Sequence, residues 1–402
     1  METKILREGD IQVAAEIIMS GGLVAVPTET VYGLAGNALN EDTVKRIYDV
    51  KGRPEIKPLS LMVPDTTVIS KYFRTPPLAA ARFAHLFWPG PLTLVSVAAD
   101  GIPDIVRAGA DTIALRCPQH PLTLKLLEAL PVPLAAPSAN PSGAPGPKTA
   151  EEVLSYFNGE IDAILDGGPC GIGLESTILD LDRTPPVILR RGALSSDDIF
   201  EALRSSMKTI GITGPTGAGK TTALSVLSNL GGAVLDCDKL YHELLESDTA
   251  MVAEIENRFP GTTAGGSVDR KLLGSLVFNE PEALLDLNAI THRYIASEVA
   301  RRLDSFASAG FPVTAIDAIA LIESGIAKKC DDVVGILAIG DERIRRIVAR
   351  EGIDREYAEK RVRAQKDDSY FRENCSIIIE NDGDIASFHK KCSIVFSRFF
   401  EF

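Results

Sequence analysis

At 402 residues the chain is too long for one hydrophobic core, since single cores rarely outgrow about 250 to 300 residues, so two domains are expected. Its 45% hydrophobic and 24% charged residues describe an ordinary globular protein, and no apolar run approaches the roughly 18 residues of a membrane span. The formal charge of −13 is shared, with 18 basic and 25 acidic residues in 1–207 and 24 and 30 in the remainder; neither half is a basic platform, and no stable nucleic-acid complex is expected.

Charges at Lys4, Arg7, Glu8 and Asp10 occupy the place where a signal peptide needs an apolar stretch. Cys117, Cys170, Cys237, Cys330, Cys375 and Cys392 form no C-x-x-C pair, which argues against a zinc or disulfide framework and predicts buried free thiols in a reducing, cytoplasmic setting.

In chain order, Asp10 is placed to cap a helix running through Ile17 and Ile18, and Gly21-Gly22 ends it before a strand over 23–26. A helix over 41–50 follows. Strands are predicted at 59–63, 92–98, 112–115, 134–136, 163–165, 176–181 and 187–189, with helices between several of them. That rhythm is α/β: a mixed α/β N-terminal domain over 1–207. The segment 137–147, rich in Pro, Gly and Ser, reads as a loop, and a helix over 194–207 with Ser196 as N-cap closes the domain. From 208 to 402, strands at 208–213, 233–236, 313–317, 333–338 and 376–379 alternate with helices, which predicts a parallel sheet flanked by helices.

Gly214 to Thr221 read G-P-T-G-A-G-K-T between a predicted strand and helix, the setting in which a glycine-rich loop cradles phosphates. Gly214, Gly217, Ala218, Gly219 and Thr222 would hold the nucleotide, Lys220 would reach its β and γ phosphates, and Thr221 would hold Mg²⁺. Asp236-Cys237-Asp238 ends the next strand, where open sheets bind ligands; either carboxylate serves the chemistry or caps the following helix. Arg343, Arg346 and Arg350 recur at spacings that share one helix face, as a lid over phosphates or as a solvated surface.

These blocks, with V-D-R-K-L-L-G-S-L-V-F, T-H-R, D-A-I-A-L-I-E-S-G, R-I-R-R-I-V-A-R-E-G and A-Q-K-D-D, resemble the dephospho-CoA kinase family from Lys208 to about Asp384. The resemblance implies Asp238 as general base toward the ribose 3′-hydroxyl and as a metal neighbour. It implies His292, Asp317 and Glu323 on the acceptor side, Arg346 and Arg350 as lid arginines, and Gln365 in a nucleotide-contacting segment. Ile319 and Arg293 depart from the family, where proline is common.

In the first half, Thr28 to Gly33 follow a strand, Lys51 and Arg53 end a helix, and Ser138 and Asn140 lie in the proline-rich loop. Taken singly these are a turn, a helix end and a polar loop. Taken together they suit phosphate oxygens and an amino-acid carboxylate. With Pro58-Leu59, W-P-G-P-L-T from Trp88, Arg116-Cys117-Pro118, Ser176-Thr177 and Arg190, they resemble the YrdC-like threonylcarbamoyl-AMP synthase family over about residues 3 to 200. Arg191 departs from the family's frequent proline. The resemblance implies use of ATP, L-threonine and bicarbonate with pyrophosphate release, feeding a separate tRNA threonylcarbamoyl transferase. Lys51 and Arg53 would stabilise the polyphosphate, Ser138, Asn140, Ser176 and Arg190 would hold the nucleotide, and Thr28, Thr30 and Arg116 would meet threonine.

The expectation is a bifunctional cytoplasmic enzyme consuming Mg-ATP in both halves. The alternatives are a kinase carrying a non-catalytic nucleotide- or RNA-binding module, carbamoyl transfer of the hydrogenase-maturation kind, and a kinase for another small-molecule acceptor.

Overall fold

The computed structural model describes residues 2–183, 185–277, 280–318 and 321–400. The chain divides into two compact units, one of residues 1–205 with 308–310, the other of 206–307 with 311–402.

The first unit is built on a ten-stranded mixed sheet. Its strands are β1 (Lys4–Leu6), β2 (Val24–Val26), β3 (Gly33–Asn37), β4 (Ser60–Met62), β5 (Leu92–Val97), β6 (Thr112–Arg116), β7 (Leu134–Ala135), β8 (Ala163–Leu165), β9 (Thr177–Asp180) and β10 (Val187–Arg190), in the order β1-β8-β2-β3-β7-β4-β6-β5-β9-β10. Successive strand residues face opposite sides, so Ala25, Leu61, Ala135 and Ile164 enter one apolar cluster while Val24, Val26, Met62, Leu134 and Leu165 enter the other.

Two strands escaped the sequence reading. β1 pairs in parallel with β8, some 160 residues away and invisible to local pattern. β3, Gly-Leu-Ala-Gly-Asn, looks like a breaker; its glycine is needed because a Cβ at Gly36 would stand 2.6 Å from Thr43 Cγ2 of the helix Glu41–Lys51. Two caps are corrected as well. Asp10 makes no capping bond to the helix Ile11–Met19; its carboxylate accepts from the Arg7 amide one turn earlier. The closing helix is Ser196–Ser206, and the hydroxyl that caps it is that of Ser195, which accepts from the Asp198 amide.

The second unit carries β11 (Lys208–Thr213), β12 (Ala233–Asp236), a small hairpin of β13 (Thr263–Ala264) and β14 (Ser267–Val268), then β15 (Val313–Asp317), β16 (Asp332–Leu337) and β17 (Ile377–Glu380). Five of these form an all-parallel sheet, order β12-β15-β11-β16-β17, with apolar clusters on both faces. The glycine-rich loop leaves β11 at the centre of this sheet and leads into the helix Lys220–Asn229. Among the described residues no helix is long and apolar enough to cross a membrane. All six cysteines are free, but only Cys117, Cys237 and Cys392 are fully buried; Cys170, Cys330 and Cys375 are partly exposed.

Two candidate active sites

In the first unit, Gly52 takes a left-handed conformation (φ 56°) and ends the helix at Lys51. Lys51 is only 3% exposed, and its ammonium donates to the carbonyls of Ser138 and Asn140. Burial, and then the neighbouring Arg53, pushes its pKa down to about 8. Arg53 holds its own loop by donating to the Lys57 and Pro58 carbonyls at 3.3 and 3.0 Å; burial lowers its pKa too, and it feels Glu175 and Arg190. The Ser138–Asn140 segment is pinned to the start of β3 by a Gly33 to Ser138 bridge and by the Ala139 amide on the Tyr32 carbonyl. Asn140 is 6% exposed and donates to Pro141 and Ala144, yet its buried Oδ1 has no partner among the described residues.

Arg190 donates to the Ser176 carbonyl and hydroxyl and to the Glu175 carboxylate, and the Ser176 hydroxyl meets that of Thr93 at 2.8 Å. A second network joins Thr28, Thr30 and Arg116. The Thr28 hydroxyl accepts from the Thr30 and Val31 amides and meets the Thr30 hydroxyl at 2.8 Å. Arg116 donates to Thr30 Oγ1 and forms a buried ion pair with Glu29 at 2.8 Å; Glu29 also accepts from the Gln119 amide. Glu29, Thr93 and Glu175 were not assigned roles from sequence. Glu29 and Arg116 are 87 residues apart, so only the pairing of distant segments reveals that one holds the other.

In the second unit, Gly214 (φ 141°), Gly217 (φ 82°) and Gly219 (φ 109°) give the loop its turn. Ala218 is buried within it, and Thr221 and Thr222 lie in the first turn of the following helix. Lys220 folds back so that Nζ donates to the Gly214 carbonyl at 2.8 Å. Burial lowers its pKa, opposed by Asp317 and Asp238. Burial raises Asp317 to about 6, with Lys220 opposing. Asp236 spends its carboxylate on the Lys239 amide as a helix cap, whereas Asp238 lines a cavity of about 450 Å³ together with His292, Tyr241, His242, Arg270 and Asn288.

Other site residues fall elsewhere. Glu323 lies outside that cavity lining, bonded to the Tyr370 hydroxyl. Arg293 turns to an ion pair with Glu254, and Ile319 lies outside the described residues. On the helix Gly340–Glu351, Arg346 reaches the Gly217 and Ala218 carbonyls and Asn381, while Arg350 pairs with Glu351. Gln365 accepts from the Thr216 amide and donates to its hydroxyl. Arg343, grouped by its spacing with a lid or a solvated face, is instead buried against the loop and donates to the Thr216 carbonyl.

Residues 16–192 match the Sua5/YciO/YrdC family model, described as telomere recombination, and residues 208–387 match the model described as dephospho-CoA kinase. The chain is 46% identical over 198 residues to the threonylcarbamoyl-AMP synthase of Pyrococcus abyssi, covering 49% of this chain and 58% of the relative. It is 44% identical over 200 residues to that of Bacillus subtilis, with the same shares of 49% and 58%. To a putative threonylcarbamoyl-AMP synthase of Mycobacterium tuberculosis it is 35% identical over 197 residues, 49% of this chain and 90% of the relative. It thus spans a little over half the length of the first two.

Proposed function

Because the chain belongs to the threonylcarbamoyl-AMP synthase family through its first half and matches the dephospho-CoA kinase family over residues 208–387, we propose that it is a cytoplasmic enzyme with two activities. The first half makes threonylcarbamoyl-AMP from L-threonine, bicarbonate and ATP, releasing pyrophosphate, for a separate tRNA threonylcarbamoyl transferase. The second half transfers the γ-phosphoryl group of ATP to the ribose 3′-hydroxyl of dephospho-CoA.

For the second half, the observation that carries the reading is the placing of Lys220 between the loop carbonyl of Gly214 and the charges of Asp317 and Asp238, with Asp238 on the cavity wall. A phosphoryl group held by the loop amides would meet an acceptor hydroxyl entering from the cavity. Asp238 takes the hydroxyl proton as general base, Lys220 balances the charge gathering on the phosphate oxygens, and His292 contacts the acceptor. The donor set fits a hard divalent cation, since the Thr221 hydroxyl and the Asp238 carboxylate are oxygen ligands of the kind Mg²⁺ takes beside substrate phosphates. When bound, Mg²⁺ would neutralise charge on the β and γ phosphates.

For the first half, the supporting observation is the buried Lys51 ammonium on the backbone carbonyl of Asn140, a residue whose side-chain Oδ1 has no partner among the described residues. Threonine and bicarbonate give, with loss of water, an N-carboxylated amino acid whose carboxylate attacks the α-phosphate, and pyrophosphate leaves. No side-chain nucleophile is required. Lys51, Arg53 and Arg190 stabilise the polyphosphate charge, and Asn140 with Ser138 and Ser176 orients the nucleotide. Arg116, held by Glu29, faces the threonine end with Thr28 and Thr30.

The test is product analysis of the purified chain with Mg-ATP. Threonine plus bicarbonate should yield threonylcarbamoyl-AMP and pyrophosphate, and dephospho-CoA should yield CoA and ADP. Lys220→Ala should abolish only the second reaction and Arg53→Ala only the first, each by about 100-fold or more. Loss of both activities from one folded variant would rule out independent sites.

A further inference from the structure

We propose that Arg343 is a positioning residue for phosphoryl transfer, a latch that ties the helix Gly340–Glu351 to the glycine-rich loop so that Arg346 is aimed at the loop. The proposal rests on the nucleotide reading of the second half. Arg343 is 5% exposed. Its Nε donates to the Thr216 carbonyl at 3.1 Å and its Nη2 to Gln365 Oε1 at 2.6 Å. Gln365 closes the triangle, donating from Nε2 to Thr216 Oγ1 at 2.6 Å and accepting from the Thr216 amide at 3.1 Å. Both ends of the Gln365 carboxamide are therefore spent on the loop itself, so Gln365 acts on a nucleotide through Thr216.

Sterics support the latch. A Cβ at Gly217 would stand 2.8 Å from the Arg343 carbonyl oxygen and 3.1 Å from its Cα, so the helix backbone rests directly on the loop at a point only glycine allows. The helix also needs a polar anchor. With the helix Arg355–Arg363 it forms its own apolar cluster of Ile344, Ile347 and Ala358, separate from the clusters that flank the sheet. Arg346, one turn on, makes only long contacts among the described residues, 3.3 to 3.5 Å to Gly217, Ala218 and Asn381 and 4.0 Å to the Glu342 carboxylate, near or beyond the limit for a hydrogen bond. Arg343 is thus the fixed point and Arg346 the group free to turn toward a phosphate. A lysine replaces it only in part, because the two bonds leave different nitrogens of one planar fork.

The experiment uses the full chain with Arg343→Met, Arg343→Lys, Gln365→Met and the Arg343→Met/Gln365→Met double variant. It reads thermal melting, dissociation of mant-ADP, and kcat and KM for dephospho-CoA. The latch predicts that Arg343→Met loses about 10- to 100-fold in kcat with KM for dephospho-CoA within about 2-fold. Arg343→Lys recovers part of the loss, and the double variant is no worse than the poorer single because both residues act on Thr216. Unchanged kcat in Arg343→Met, additive losses, or a loss restored in full by assaying well below the melting temperature would overturn it. If the wild-type chain binds mant-ADP without phosphorylating dephospho-CoA, the acceptor reading fails on its own. The latch is then judged by mant-ADP dissociation, about 10-fold faster in Arg343→Met if it is right and unchanged if it is wrong.

Discussion

Asp236 and Asp317 stand opposite each other at the ends of the adjacent parallel strands β12 and β15, and of the two it is Asp236 whose carboxylate caps a helix. Asp317 is left half-buried beside Lys220 with a pKa raised by desolvation to about 6 from 3.8. The folded state therefore binds a proton more tightly than the unfolded chain between those values, and stability falls as pH rises through that window. At pH 7 the ionised carboxylate is a cost in the nucleotide-free protein. Asp317→Asn should raise stability at pH 7 by about 1 to 2 kcal/mol while lowering kinase kcat. The stability gain should vanish near pH 4 when urea unfolding is compared at the two pH values.

Asp236→Ala tests the other member of the pair. Loss of the bond to the Lys239 amide should cost about 1 kcal/mol, and the kinase kcat should fall less than in Asp238→Asn. Equal losses of kcat in the two variants would place Asp236 in the chemistry as well.

Lys51 supplies a pH signature for the first half. Its pKa of about 8, lowered by burial and then by Arg53, means that its positive charge is lost as pH rises through 8 rather than through 10.5. Threonine-dependent pyrophosphate release should fall above about pH 8. Lys51→Arg, if it folds and turns over, should move that alkaline limb upward, because a guanidinium keeps its charge. A pH profile flat to pH 9.5 would show that the ammonium charge is not needed.

Glu29 and Arg116 form a buried pair, 11% and 9% exposed at the side chain. Removing one partner leaves the other charge uncompensated, which typically costs about 3 kcal/mol or more. Glu29→Gln should lower the unfolding free energy of the first unit by about that amount and raise KM for threonine. A KM shift without a stability change would mean that the carboxylate meets substrate directly.

Gly214→Ala should disable the nucleotide loop, since Gly214 sits at φ 141° and a Cβ there would stand 2.2 Å from the Ile336 carbonyl oxygen. The expected result is loss of mant-ADP binding with threonine-dependent pyrophosphate release retained. Binding within 2-fold of wild type would show that the loop shifts to accommodate the methyl group.

Short-range signals determined much of this protein by themselves. Strand β11, the glycines at 214, 217 and 219 and the apolar face of the helix Lys220–Asn229 are adjacent in sequence, and local sterics with 3.6-residue periodicity suffice to read them. So are Lys51 and Arg53, which close one helix at a glycine. Tertiary structure alone decided which groups those elements meet. β1 exists because β8 offers its edge, β3 because the helix Glu41–Lys51 needs glycine beneath it, and Arg116 is aimed because Glu29 holds it. Arg343 belongs to the loop because Thr216 and Gln365, 127 and 22 residues away, converge on its guanidinium. Such pairings carry no periodic trace along the chain. Their distances are set by sheet order and side-chain burial, where a charged group must find its partners or be costly to fold.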